Sequence, residues 1–336
     1  MPFPPDYPPL LFNILLFIAG LAAFIVTYYL TPRVIERLKI RKIVGVDENK
    51  LGKPEIPSMG GPPIVAGYLA GTLILLATYQ DLLPLISAAL SSILMMGFMG
   101  TIDDSLRLSQ RTKIFLPLLA SLPLAVALGR DRTMLIPFIG SVHFGILYPV
   151  LLVPLGVVAA SNLTNMLAGL NGLEAGMGLI AVTSLLVASL LTGNELCALI
   201  LAPMIGALLA FLKYNKYPAK IFPGNSTTYL VGTIIAAAVI LGNLEIIGVL
   251  CLTPYVLEFF IKAKGGFKAQ SFGVPNPDGT LSPPNKNPQS LTHVFMRRGK
   301  LTEKQIVTRM WMMEMVAGIM AILVAYSSLY YLLLKS

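Results

Sequence analysis

Charge is scarce in this sequence. Only 12% of its 336 residues are Asp, Glu, Lys or Arg, where a soluble domain carries about 25%, and the deficit excludes an ordinary water-exposed globule. Cysteine is nearly absent as well. Cys197 and Cys251 both fall inside apolar runs, so they read as helix packing rather than as a disulfide, a metal centre or a nucleophile. The opening residues, MPFPPDYPPL, hold an acid and several prolines where a signal peptide has a basic segment, so no cleaved leader is expected. Internal repeats are missing too, and with them the paired, interrupted half-helices that mark many secondary transporters.

What fills the chain instead is hydrocarbon. Fifty-five per cent of the residues are hydrophobic, gathered into runs near the roughly 20 residues that cross a bilayer core about 30 Å thick. The runs cover 10–30, 62–80, 83–102, 114–129, 147–165, 174–192, 195–213, 227–244, 246–262 and 306–334, the fourth being short. They predict an all-α, polytopic membrane protein of about ten transmembrane helices, with residues 1–336 forming a single membrane domain.

The few charges are distributed unevenly. Of 25 Lys and Arg residues, 22 fall in four stretches: residues 31–60, 103–113, 213–220 and Lys262 to Arg309. Arg130, Arg132 and Lys335 are the remainder. Cytoplasmic loops carry the basic excess, which places these loops, with the turn at 166–173, in the cytoplasm and both termini outside. The net charge of +9 therefore reports orientation in a lipid bilayer and not a nucleic-acid partner. Every polar segment with chemical content lies on that inner face: 31–60, 103–113, 166–173, 213–226 and 263–304.

Five segments there carry candidate chemistry. Asp103 and Asp104 are adjacent at the end of an apolar helix, with Arg107 and Lys113 following. Paired carboxylates in that place are costly unless solvated, ion-paired or metal-bound, and they could hold Mg²⁺ with substrate phosphates or activate a nucleophile. A solvated helix end is the plainer alternative. Asn162 and Asn165 share one helical face, and Asn171 follows among Gly169, Gly172 and Gly176. Amides suit a base edge or a hard cation, or hydrogen bonding between helices. Residues 215–228 run through Phe222-Pro223-Gly224 into Asn225-Ser226-Thr227-Thr228, a helix start that offers amide donors to phosphate or simply caps itself. His293, Arg297 and Arg298 fit a pyrophosphate clamp and equally a stripe on anionic headgroups. Asp47 to Lys50 and a Gly60-Gly61 helix start complete the set. Acids, amides and cations on one membrane face are what phosphoryl transfer between a soluble donor and a lipid phosphate requires.

Read in order from about residue 45 to 311, these motifs resemble the polyprenyl-phosphate N-acetylhexosamine-1-phosphate transferases, and within them the dolichol branch. NMLAGLNGLEAG, the DENK of 47–50, LRLSQRTKIFLPLLASLPL and the Asn215 to Pro218 motif carry the likeness. The resemblance implies ten helices with extracytoplasmic termini and an active site at the cytoplasmic face. It also implies UDP-GlcNAc and polyprenyl or dolichyl phosphate as substrates, GlcNAc-diphospho-polyprenol and UMP as products, and Mg²⁺ (or Mn²⁺) as cofactor. Carried over, Asp103, Asp104 and Lys113 are the catalytic set, Asn165 and Asn225 the metal ligands. Lys50, Asn162, Asn171, Phe222, His293, Arg297 and Arg298 bind substrate. A homodimer is compatible with the family. The membrane would be the plasma membrane of a prokaryote, archaeal by the branch, or the endoplasmic reticulum of a eukaryote.

The sequence departs from the family pattern twice. Position 225 is Asn where Asp is usual, and the last loop keeps one His, His293, ahead of Arg297 and Arg298. Glu258 and Glu314 lie inside predicted helices and read as helix contacts. Two other functions stay open on the residues: a carrier or flippase for a lipid-linked or nucleotide sugar, and a family member weakened or inactivated by Asn225.

Overall fold

A computed structural model describes residues 8–106, 108–129, 133–136 and 140–333; Arg107, Arg130, Arg132 and Lys335, counted above, lie outside them. The chain runs through α1 (Pro9–Ile40), α2 (Gly61–Thr78), α3 (Leu83–Leu106), α4 (Gln110–Ala120), α5 (Leu122–Ala127), α6 (Val153–Met166), α7 (Leu173–Leu191), α8 (Glu195–Asn215), α9 (Gly224–Gly242), α10 (Glu245–Cys251), α11 (Thr253–Lys264), α12 (Leu291–Arg297) and α13 (Glu303–Leu333). Among the described residues eight helical spans are long and apolar enough to cross a membrane, or nine if α10 and α11, bent by 63° at their junction, form one. The protein is thus an all-α polytopic membrane protein.

The expected span at 114–129 takes a different form. It folds as α4 and α5, 11 and 6 residues long, because Pro123 stands in the first turn of α5 and cannot donate back to α4. Ser121 sits at the break, its hydroxyl donating to the Leu118 carbonyl at 2.6 Å. Short antiparallel pairs ornament the loops: β1 (Val44–Val46) with β2 (Glu55–Pro57), β3 (Thr133–Ile136) with β4 (Gly140–His143), and a three-stranded set of β5 (Val274–Pro275), β6 (Thr280–Ser282) and β7 (Leu301–Thr302).

α9 is the axis of the bundle. It is buried along nearly its whole length and packs on α3, α6, α7 and α8. Lipid is as apolar as a leucine side chain, so contact between membrane helices depends on close packing rather than on escape from water. Small residues provide it. A Cβ on Gly206 of α8 would fall 1.8 Å from the Gly20 carbonyl oxygen of α1. One on Gly100 of α3 would fall 2.3 Å from the Ser226 Cα of α9. The second contact presses the end of α3, with its acidic pair, onto the first turn of α9. Glu314 is fully buried on α13, and among the described residues no hydrogen-bond donor reaches its carboxyl oxygens.

Candidate active site

The ends of α3 and α9 and the start of α4 make an acidic corner. Asp103 is 1% exposed. Its Oδ2 accepts from Lys113 Nζ at 2.7 Å, Asn225 Nδ2 at 2.8 Å and the Tyr229 hydroxyl at 3.3 Å, and its Oδ1 accepts from the Leu108 N–H at 2.9 Å. A carboxylate offers about four acceptor sites, so Asp103 is saturated. Asp104 is half-buried. Its Oδ1 accepts the Asn225 N–H at 2.7 Å, and its Oδ2 accepts the Ser226 N–H and hydroxyl at 3.3 Å each. The carboxylate thereby answers unpaired amides and the positive dipole end of α9.

Asn225 faces Asp103 through its amide nitrogen, because an oxygen there would meet a carboxylate. Its Oδ1 receives no hydrogen bond among the described residues. Asn165 Oδ1 accepts the Thr228 hydroxyl at 2.6 Å. Asn162 Nδ2 donates to the Val158 carbonyl at 2.9 Å and the Lys113 carbonyl at 3.3 Å, tying α6 to α4.

A second polar knot lies where the 45–60 segment meets the 166–172 turn. Asn171 Oδ1 accepts the Ala219 N–H at 2.7 Å and Lys50 Nζ at 3.1 Å. Its Nδ2 donates to Asp47 Oδ2 at 3.1 Å, and its backbone N–H donates to Glu303 Oε1 at 2.7 Å. Lys50 is also paired with Asp47, stands 3.8 Å from Glu303 Oε2 and lies 5.0 Å from the centre of the Tyr217 ring. Its charge is therefore compensated within the protein. Phe222 is laid along β2, its N–H donating to the Pro57 carbonyl at 2.8 Å and its carbonyl accepting the Gly60 N–H at 2.9 Å.

Between corner and knot is a cavity of about 300 Å³. Asp47, Glu48, Asp104, Glu174, Asn225, Thr228, Gln270, Phe222 and Phe272 are among its lining residues, and among the described residues no Lys, Arg or His is. Phe272 closes one side by lying on Gly169, where a Cβ would come within 2.4 Å of the ring; Gly169 also has φ +119°, open to glycine alone at low cost.

The expected site residues thus divide. Asp104, Asn225 and Phe222 face the cavity. Asp103, Lys113, Asn162 and Asn165 brace it from the side of α3, α4 and α6, while Lys50 and Asn171 form the knot beneath. His293 is buried behind the wall: its Nδ1 accepts the Gln289 N–H at 3.4 Å, so Nε2 carries the proton and donates to the Phe272 carbonyl at 3.0 Å. Burial holds its pKa below the usual imidazole value, which keeps the ring neutral. Arg297 and Arg298 are exposed at the end of α12 and do not line the cavity.

Sequence reasoning missed several cavity groups. Glu174 stood within a quoted motif but in the first turn of a helix, where an acid reads as a dipole partner; its Oε1 in fact accepts the Gly169 N–H at 2.7 Å. Asn49 bridges two loops, donating to the Gly169 carbonyl at 2.7 Å and accepting the Gly273 N–H at 2.9 Å. Phe272 and Gln270 carried no local signal at all. Glu258, expected to make helix contacts, pairs with Lys262 on its own helix and accepts the Leu291 N–H at the start of α12, and also holds Ser271 of the last loop.

Comparison with known proteins agrees with this architecture. The family described as glycosyl transferase family 4 matches residues 86–243, from α3 to the end of α9. A Saccharolobus solfataricus protein, provisionally named UDP-N-acetylglucosamine–dolichyl-phosphate N-acetylglucosaminephosphotransferase, is 41% identical over 90% of this chain and 94% of its own. The Dictyostelium discoideum protein of that name is 30% identical over 84% of this chain and 82% of its own. A phospho-N-acetylmuramoyl-pentapeptide-transferase of Desulforamulus reducens is 30% identical over 71% and 77%. By these relatives the chain belongs to the family of the UDP-N-acetylglucosamine–dolichyl-phosphate N-acetylglucosaminephosphotransferases.

Proposed function

We propose that the protein transfers N-acetylglucosamine 1-phosphate from UDP-GlcNAc to a polyprenyl (dolichyl) phosphate, giving GlcNAc-diphospho-polyprenol and UMP, at the cytoplasmic face of an archaeal membrane. This would be the first membrane step of lipid-linked glycan assembly for N-glycosylation. The observation that carries the reading is the acidic corner: Asp104 held by the first turn of α9, on the wall of a cavity that also presents Phe222. In the reaction an oxygen of the lipid phosphate attacks the sugar-bearing phosphorus, the bond from that phosphorus to the bridging oxygen breaks, and UMP leaves with the electron pair. Asp104 orients the attacking phosphate. Asp103 and Lys113 hold α3 and α4 in register around it. Phe222 receives the uracil, and Asn171 fixes Asp47, which lines the same cavity.

A divalent cation fits the donor set. Among the described residues the lining presents carboxylates and no Lys, Arg or His; the Asn225 amide oxygen on the wall, and that of Asn165 bonded to the lining Thr228, add neutral hard donors, all oxygen, as Mg²⁺ or Mn²⁺ prefers. Asp104, Asn165 and Asn225 would hold it, and bound there it would neutralise phosphate charge. Among the described residues no three His, Cys, Asp or Glu side chains group as a metal centre, so substrate phosphates would complete the coordination.

The test is direct. Purified protein incubated with sugar-labelled UDP-GlcNAc, Mg²⁺ and dolichyl phosphate should yield UMP and a labelled lipid. No product with Mg²⁺ or Mn²⁺, in the natural protein and in Asn225→Asp alike, would sink the proposal.

A further inference from the structure

Two buried charges lie one helical turn apart near the end of α11, outside the cavity. Glu258 is 0% exposed and Lys262 8%, and Lys262 Nζ stands 3.2 Å from Glu258 Oε1. Burying such a pair costs several kcal/mol per ion unless hydrogen bonds satisfy the remaining lone pairs and protons. Here those bonds reach out of the helix in two directions. Glu258 accepts the Ser290 hydroxyl at 2.9 Å, the Leu291 N–H at 2.6 Å and the Ser271 hydroxyl at 3.2 Å. Lys262 donates to the Met166 carbonyl, the last residue of α6 and the start of the Asn- and Gly-rich turn.

The pair therefore ties α11 to both sides of the cavity mouth. On one side is the 166–172 turn, whose Gly169 and Leu170 line the cavity. On the other is the segment 270–273, which supplies Gln270 and Phe272 to the wall. That segment is secured residue by residue. Ser271 is bound through its hydroxyl to Glu258 and through its carbonyl to the Thr292 hydroxyl at 2.7 Å. Phe272 is held by His293, and Gly273 by Asn49. Removing the ion pair would leave the wall hanging on Asn49, His293 and Thr292, with the last two on a seven-residue helix that Glu258 itself caps.

We propose that Glu258 and Lys262 are positioning residues that set affinity for the nucleotide sugar without touching it, by clamping the 270–273 wall against the 166–172 turn. The proposal rests on the functional reading above. It assigns the pair to the nucleotide half, because the wall packs on Gly169, two residues from Asn171, whereas the acidic corner belongs to α3, α4 and α9.

Both charges are removed together in the Glu258→Gln/Lys262→Met double variant, which avoids stranding one of them. Ser290→Ala serves as a milder second variant. Steady-state kinetics with UDP-GlcNAc and dolichyl phosphate varied in turn are paired with equilibrium binding of UDP and hydrogen–deuterium exchange of residues 266–273. The KM for UDP-GlcNAc and the Kd for UDP should rise about tenfold in the double variant, kcat and the KM for lipid phosphate should change less than about threefold, and exchange in 266–273 should accelerate. Ser290→Ala should shift the same quantities in the same direction by less. Unchanged UDP binding and exchange in both variants would overturn the proposal, as would kcat and both KM values failing together. Failure of the functional reading looks different: the natural protein would itself neither bind UDP nor turn over UDP-GlcNAc.

Discussion

At the scale of single residues, the acidic pair is two groups with separate duties. Asp103 has spent its acceptor capacity on four donors from α4, α9 and the loop between α3 and α4, and of the pair only Asp104 borders the cavity. Asn225 explains part of that division. Its amide hydrogen bond to Asp103 is one that an aspartate could not make. Asn225→Asp would set two carboxylates together, so the variant should lose thermal stability in EDTA, by about 1–3 kcal/mol for a buried acceptor left without its donor. Divalent cation should restore it, and the Mg²⁺ concentration for half-maximal activity should fall. Thermal unfolding with and without Mg²⁺ measures this; equal stability in both conditions would count against it. His293 supplies a pH test. Burial lowers its pKa in the folded protein, so the unfolded chain takes the proton first, and the stability contributed by the neutral ring is present above about pH 6.5 and lost as pH falls below it. The Tm difference between the natural protein and His293→Gln should narrow from about pH 7.5 to pH 5; a constant difference would show that the ring is not held neutral. Of these facts the sequence displayed the residue types. It could not display which carboxylate was saturated, since Tyr229 and Leu108 reach Asp103 from different elements.

At the scale of elements, the site is held by small-residue packing more than by loops. Gly100 lets α3 meet the first turn of α9, and the acidic pair sits within the next turn. Gly100→Val would force the two apart where overpacking alone costs about 1–3 kcal/mol. Turnover should therefore drop by at least about tenfold while UDP binding, which depends on the opposite wall, holds within about threefold. Parallel loss of both would mean the bundle itself had opened. The helical runs were legible because lipid demands length and apolarity of each span. The run at 114–129 is divided at Ser121, ahead of Pro123, into two short helices, a break that hydropathy does not count. The loop strands escaped notice for the converse reason, since pairs of two to four residues leave no periodicity.

At the scale of the whole molecule, the bundle gathers the end of α3, the turn from α6 to α7 and the start of α9, with the 45–58 and 270–272 segments, around one cavity. The basic loops expected inside the cell lie at that end. Impermeant maleimide should thus label Asp81→Cys in intact cells and Lys268→Cys only after permeabilisation, the native cysteines both being buried. The reverse pattern would invert the orientation.

The all-α polytopic class and most of the apolar spans followed from the sequence alone, because the bilayer imposes length and apolarity on each crossing. So did the acid, amide and Pro-Gly segments, whose spacing is local. The contacts of Lys50 with Asn171 and Glu303, the commitment of His293 to a backbone carbonyl, and the clamp from Glu258 to the 270–273 wall were decided only by tertiary structure. These contacts join residues from 13 to about 250 positions apart, and no local pattern encodes a hydrogen bond whose partner is supplied by a distant fold of the chain.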